Sequence, residues 1–279
     1  YRRYAAVLKW LTLSLFAYVA VVLTVNVPWA SALWNTVIPK IVFDSDHAMA
    51  LVAVLGTTIS PYLFFWQAGE EVEELRRRHF PRLASHPDLA QSELARIRTD
   101  TLVGMGLSNL VALFIIFATA STLHIAGITQ IETSTQAAEA LRPIAGEFAF
   151  AVFALGIIGT GLLAVPVLAG SAAYAVAETF KWSEGLDRRP REAKAFYATI
   201  AIATLGSVAL SFTALDPIRA LYWTAVINGM LAVPLMTIMM LMVVNRRVMG
   251  RLTAPWWMVT VGWLTVIVMA LATIGFFIL

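Results

Sequence analysis

The chain has 279 residues, 59% of them hydrophobic and 13% charged, with 20 Lys and Arg against 17 Asp and Glu. Soluble domains carry about 25% charged residues, so this composition excludes an ordinary soluble fold, and the absence of cysteine excludes disulfides and thiolate metal centres within these residues. The basic balance does not mark a nucleic-acid surface, because Lys and Arg sit in short clusters between apolar runs, the pattern of membrane topology.

A membrane-spanning helix needs about 20 mostly apolar residues. Seven segments qualify, at 5–25, 47–67, 102–124, 148–176, 196–212, 218–244 and 255–279. They are too long for barrel strands, which need about 10 residues and alternate in polarity. The expected fold is all-α, a polytopic membrane protein of seven transmembrane helices forming one domain over 1–279.

The opening Tyr-Arg-Arg-Tyr leads straight into the first span, without an initiator Met or a signal-peptide cleavage pattern. A truncated N-terminus is therefore expected. The segment 26–46 reads as an external loop and carries Pro28, Trp29, Trp34 and Pro39, and tryptophans concentrate at membrane interfaces. The second span contains Gly56-Thr57-Thr58-Ile59-Ser60-Pro61-Tyr62. Proline removes a backbone donor and clashes with the preceding turn. In lipid, a freed carbonyl survives only where protein or a water-filled cavity satisfies it. A break is expected over 56–61, and the competing reading is a packed proline kink.

After this span, Glu70, Glu71, Glu73 and Glu74 precede Arg76, Arg77 and Arg78. Acids ahead of bases suit a short solvated helix, and the run 70–98 reads as a surface loop. The segment 125–147 reads as a loop on the opposite side. The fourth span carries Gly156, Gly159, Gly161, Pro166 and Gly170-Ser171-Ala172-Ala173, a pattern of close helix packing. In the sixth span, Asn228-Gly229 followed by Pro234 reads as a second breakable polar patch.

With the first span entering from one side and the others alternating, all but Lys40, Arg142 and Arg219 of the 20 basic residues fall on that side. The positive-inside rule makes it the cytoplasm, so the N-terminus of this chain is expected to be cytoplasmic and the chain to lie in a bacterial inner membrane.

Charges inside a membrane are rare and usually functional, yet the spans hold almost none. The histidines, His47, His79, His86 and His124, fall in loops or at helix ends with no i, i+4 pair. No nucleophile and base can be placed at one depth, so an enzyme is not expected, and no cofactor is called for. The deep polar groups are neutral: Thr57, Thr58, Ser60, Gln67, Ser108, Asn109, Thr160, Ser171, Tyr222, Thr224 and Asn228. At the break, the carbonyls of 56–58 face the negative end of a half-helix dipole, and Pro61 suits the first position of the next half-helix. With the hydroxyls of Thr57, Thr58 and Ser60 they form an oxygen-rich nest for a hard cation. A desolvated dication would also need a carboxylate, and none lies at that depth.

The stretches LKWLTLSLFAYV, LGTTISPYLFFWQAGEEVEE, GIIGTGLLAVPVLAGSAAYAVAE and INGMLAVPL resemble the natural-resistance-associated macrophage protein (Nramp) family of divalent-metal transporters, in its divergent bacterial members. The resemblance implies a leucine-transporter-like inverted-repeat fold in which this chain corresponds to helices five to eleven. The first four helices, with the Asp-Pro-Gly-Asn motif that supplies the acidic ligand, would then precede it.

The family's sixth helix reads Gly-Ala-x-x-Met-Pro-His-Asn. Aligned on Pro61, Thr57 stands where an alanine carbonyl binds metal and Ser60 where the metal-binding methionine sits. Tyr62 replaces the histidine associated with proton movement and Leu63 the asparagine, while Asn228 lies near a polar amide of the tenth helix. The implied ion-binding residues are Gly56, Thr57, Thr58, Ser60 and Asn228, with Thr57 and Ser60 on the metal and Pro61 and Tyr62 at the break.

The implied function is secondary transport of divalent cations of the manganese, iron and magnesium class. A proton is the coupling ion the family suggests. Loss of the soft thioether relaxes preference for transition metals, as in a magnesium-transporting branch that also lacks this methionine. The rivals are an amino-acid or organic-cation permease of the same fold, suited to Tyr62, Phe64, Phe65 and Trp66, and a non-transporting membrane scaffold. The expected partners are the metal ion and the lipid bilayer, with no nucleic acid; the oligomeric state stays open.

Overall fold

The computed structural model describes residues 15–25, 27–38, 44–81, 83, 86–128, 131, 133–213 and 215–278. They form α1 (Phe16–Thr24), α2 (Trp29–Val37), α3 (Ser45–Thr58), α4 (Pro61–Arg77), α5 (Pro87–Thr119), α6 (Ser134–Phe180), α7 (Lys194–Leu210), α8 (Pro217–Val243), α9 (Arg246–Met249) and α10 (Trp256–Ile278). No strand occurs among the described residues. Five stretches are long and apolar enough to cross a membrane: Ser45–Arg77, Leu89–His124, Gly146–Phe180, Pro217–Val243 and Trp256–Ile278. Most of the expected first span, 1–14, lies outside the described residues. The expected fifth span appears as α7, whose 17 residues reach about 26 Å at 1.5 Å per residue, a little short of a 30 Å hydrocarbon core.

The chain divides into two compact units, Tyr1–Ile41 with Gly104–Ala220, and Val42–Val103 with Leu221–Leu279. In the first, α1 lies along α6. Val21 and Val22 of α1 are buried with Phe117 and Ala118 of α5. Tyr18 meets Phe153 edge-on at 5.8 Å. Gly156 allows this approach, since a Cβ there would lie 3.2 Å from the Tyr18 ring and 3.3 Å from the Ala17 Cβ.

Farther along, α6 packs on α7 through Ala173, Tyr174, Ala177 and Phe196, all buried, with the Tyr174 and Phe196 rings 4.9 Å apart. The turn between them begins where Lys181 takes a left-handed conformation (φ 55°) and the Trp182 N–H donates to the Ala177 carbonyl at 2.8 Å, a closure that satisfies the final carbonyls. The small residues of the fourth expected span thus serve packing: Gly159, Gly170 and Ser171 are buried, and the Ser171 hydroxyl donates back to Val167.

Four readings of the sequence need correction. The segment 26–46 contains the helix α2. The expected loop 125–147 is helical from Ser134, where Thr133 and Gln136 form a reciprocal capping box, and the helix bends at Gly146 (φ 85°). The run 70–98 is a helical hairpin made from the end of α4 and the beginning of α5. The fourth correction is that α8 runs unbroken through Asn228, Gly229 and Pro234, because packing against neighbours lets a membrane helix tolerate glycine and proline in its interior. One further feature had no sequence signal, the π-helical turn Ala120–His124 that closes α5.

In the second unit, α3, α8 and α10 pack together. Val52 and Ala53 are buried with Ala225 and Val226, and Met49, Tyr222, Ala272 and Phe276 cover them. Ala232, Met236, Val266 and Met269 form an adjoining cluster with Leu55, Ile59 and Phe64. Asp44 caps α3, accepting from the His47 N–H and from His47 Nδ1, both at 2.8 Å. The backbone N–H first, and then the imidazole, hold the Asp44 carboxyl below its ordinary 3.8.

Candidate functional site

The interruption between α3 and α4 is short. Residues 56–58 remain helical, and only Ile59 (φ −109°, ψ 79°) and Ser60 (φ −94°, ψ 117°) leave the helix. The break expected over 56–61 is therefore narrowed to 59–60. The cause is local. The Ile59 N–H still reaches the Leu55 carbonyl at 2.8 Å, but Pro61 has no N–H to offer Thr57. Pro61 instead takes the first position of α4, where its missing donor costs nothing.

Ser60 completes the accounting. Its side chain is buried, at 2% exposure. Its hydroxyl lies 3.0 Å from the Gly56 carbonyl and 3.1 Å from the Thr57 carbonyl, donating to this pair. One side chain thus stands in for two lost backbone donors, and the pair of carbonyl oxygens stays gathered at the negative end of α3.

Gly56 also faces α8. A Cβ there would collide with the Ala225 carbonyl oxygen and stand 2.5 Å from Gly229 N and 2.9 Å from its Cα. Gly229 is subject to the same constraint in return, for its Cβ would lie 2.6 Å from Val52 O. The two glycines therefore bring the backbones of α3 and α8 into close contact one turn before the break, as small residues do in membrane bundles. Asn228, next to Gly229, is half-buried.

The sequence-derived residues are thus brought together in part. Gly56 and Ser60 sit at the break, with Asn228 beside the glycine contact. The Thr57 and Thr58 side chains are exposed, and both hydroxyls turn back to the Val54 carbonyl, at 2.7 and 3.0 Å. Thr57 contributes its carbonyl to the gathered pair; Thr58 contributes neither group to it. Tyr62 is half-buried in the first turn of α4 and Leu63 is exposed. Phe64, one of the aromatics suited to an organic substrate, packs into the cluster around Met236. Among the described residues, no three His, Asp or Glu side chains converge to hold a metal, so the break offers neutral oxygens.

Away from the break, the charged hairpin is more ordered than its sequence suggested. Glu73 and Glu93 are buried. Arg78 grips Glu93 with two bonds, at 2.9 and 2.6 Å. Arg96 donates to Glu93 at 3.0 Å and crosses to Glu71 at 2.7 Å. Sequence reasoning took these residues for a solvated surface. The only available signal was that Glu71 and Arg78, like Glu93, Arg96 and Asp100, recur at helical spacing.

Long apolar helices, one of them interrupted at mid-length by a proline, define a polytopic membrane protein of the kind in which carriers build midplane sites. The Nramp family, described as natural resistance-associated macrophage protein-like, matches the chain over residues 1–279; the chain belongs to this family of transporters. It is also similar to the divalent metal cation transporter MntH of Granulibacter bethesdensis, at 23% identity over 146 residues that cover 52% of this chain and 31% of MntH. The chain therefore matches about a third of that relative's length.

Proposed function

We propose that this chain forms part of a secondary transporter of divalent metal cations, working by alternating access around the interruption at Ile59 and Ser60. The carrying observation is that one buried hydroxyl, that of Ser60, gathers the carbonyls of Gly56 and Thr57. A single side-chain rotation would release two backbone oxygens to an ion and leave the Ser60 oxygen beside them as a third. Hard oxygen donors suit Mg²⁺ and Mn²⁺ without the bias toward softer metals that a thioether supplies. Thr57, through its carbonyl, and Ser60 are the proposed metal-contacting residues, with Gly56, Thr58 and Asn228 around them. The acidic ligand is assigned to the family's first helix, and a proton is the proposed coupling ion. The N-terminal end of the chain is placed in the cytoplasm.

The test is uptake of Mn²⁺ and Mg²⁺ by vesicles containing the full protein, with calorimetry at matched ionic strength. Comparable affinity for both ions is expected, and Ser60→Leu abolishes uptake. Normal uptake by that variant would overturn the site, and binding of neither ion would overturn the function.

A further inference from the structure

The charged hairpin connects to the break by a rigid path. Helix α4 runs from Pro61, beside the gathered carbonyls, for 17 residues, about 26 Å at 1.5 Å per residue. Its far end pairs with α5 in antiparallel register. Gln67 donates to the Thr101 hydroxyl at 3.0 Å, Arg96 reaches Glu71 at 2.7 Å, and Arg78 reaches Glu93 at 2.6 Å. Arg96 also pairs with Glu93 and with Asp100, at 3.0 and 3.3 Å.

Glu93 is the centre of this network. It is 6% exposed, and a carboxylate so placed persists only when it is paired. It receives guanidinium groups from both sides, Arg78 just past the end of α4 and Arg96 from its own helix. Arg96 in turn holds Glu71 on α4. An isolated exposed ion pair contributes little, but here the crossings share partners, so loss of Glu93 would release Arg78 and loosen Arg96 together.

We propose that Glu93 is a positioning residue for transport: with Arg78, Arg96 and Glu71 it locks α4 to the charged end of α5, so that the two helices move as one arm and carry the break with them. This rests on the reading of the break as the ion site. The alternative, a charge zipper that must open in each cycle, makes the opposite prediction about a cross-link.

The chain has no cysteine, so introduced thiols can be read cleanly in a cysteine-free full protein. The test places cysteines at Gln67 and Thr101, whose side chains touch across α4 and α5, and joins them with a short bis-methanethiosulfonate reagent that reductant removes. If the helices move as one arm, the cross-linked protein takes up Mn²⁺ within about twofold of the reduced form. With Glu93→Gln added, uptake by the reduced protein falls about tenfold at saturating Mn²⁺ while the equilibrium affinity stays within about twofold, and cross-linking the same folded preparation restores it. Loss of uptake on cross-linking the parent, or full uptake by Glu93→Gln, would overturn the proposal.

A second measurement needs no transport. The rate of cross-linking between positions 67 and 101 falls at least about fivefold in Glu93→Gln if Glu93 holds the helices in register, and is unchanged if it does not. If Mn²⁺ is neither bound nor carried while this rate still falls, the ion-site reading fails and the positioning of α4 stands. If Mn²⁺ is carried while the rate is unchanged, the reverse holds.

Discussion

Replacing Gly56 with alanine tests the contact that places α8 against the break. An added Cβ would meet backbone on every side: the Ala225 carbonyl oxygen, Gly229 N at 2.5 Å and Gly229 Cα at 2.9 Å. Ordinary van der Waals contact begins at about 3.4 Å, and backbone atoms cannot rotate away as a side chain would. The helices must separate by about 1 Å, which loosens the buried contacts of Val52, Ala53, Ala225 and Val226. Overpacking of a tight interior costs about 1–3 kcal/mol, and a backbone collision belongs at the upper end. Alanine recovers about 1 kcal/mol of helix propensity over glycine, leaving a net loss of about 2 kcal/mol. The assay is unfolding of the detergent-solubilised full protein followed by tryptophan fluorescence. Gly104→Ala serves as the control, because a Cβ built there meets nothing within 4 Å beyond its own stretch of helix backbone, and it should be neutral or slightly stabilising. Gly229→Ala should resemble Gly56→Ala, and the double variant should lose less than the two single losses combined, since both act on one contact. Equal stability of Gly56→Ala and Gly104→Ala would refute the close approach of α3 and α8.

Further outcomes follow from individual contacts. Ser60→Ala leaves the Gly56 and Thr57 carbonyls without their donor in a buried site, and should destabilise the protein by about 1–3 kcal/mol in the same unfolding assay; no loss would show that these carbonyls have another partner. Phe196, fully buried against Tyr174, should cost about 3–5 kcal/mol when cut to alanine, read as a lowered unfolding midpoint. The Asp44 carboxyl is held below 3.8 by His47, so its contribution to stability is complete above that value and disappears as the pH falls through its lower folded-state value. A pH series should therefore show wild type losing stability in that acidic window more steeply than Asp44→Asn, which keeps a capping oxygen but cannot titrate; parallel curves would count against this cap.

The membrane-crossing helices were legible because long apolar runs have one meaning in a bilayer. The break was legible because Pro61 lacks a donor wherever it is placed. What stayed hidden depended on partners distant in sequence. Asn228-Gly229 with Pro234 looked like a second break because glycine and proline weaken any helix considered alone, whereas Gly229 is required by the backbone of Val52 across the interface. Glu71 and Glu93 looked solvated because acidic residues usually are, whereas Glu93 is buried between Arg78 and Arg96 and Glu71 is held, half-buried, by Arg96. The helix α2 escaped notice because its 9 residues are too few for a span.

The same stretch serves two physical demands at the break, and this decides which substitutions are informative. Gly56 presents its bare Cα to Gly229 and its carbonyl to Ser60, so changing it disturbs packing and oxygen geometry at once. Ser60 acts through its hydroxyl alone, and replacing it leaves the glycine contact intact. A variant at Ser60 that loses ion affinity while keeping the cross-link rate between positions 67 and 101 would separate the binding role of the break from the mechanical role of α4. A variant at Gly56 could not make that separation, because α3 and α8 would shift together with any ion ligand they carry.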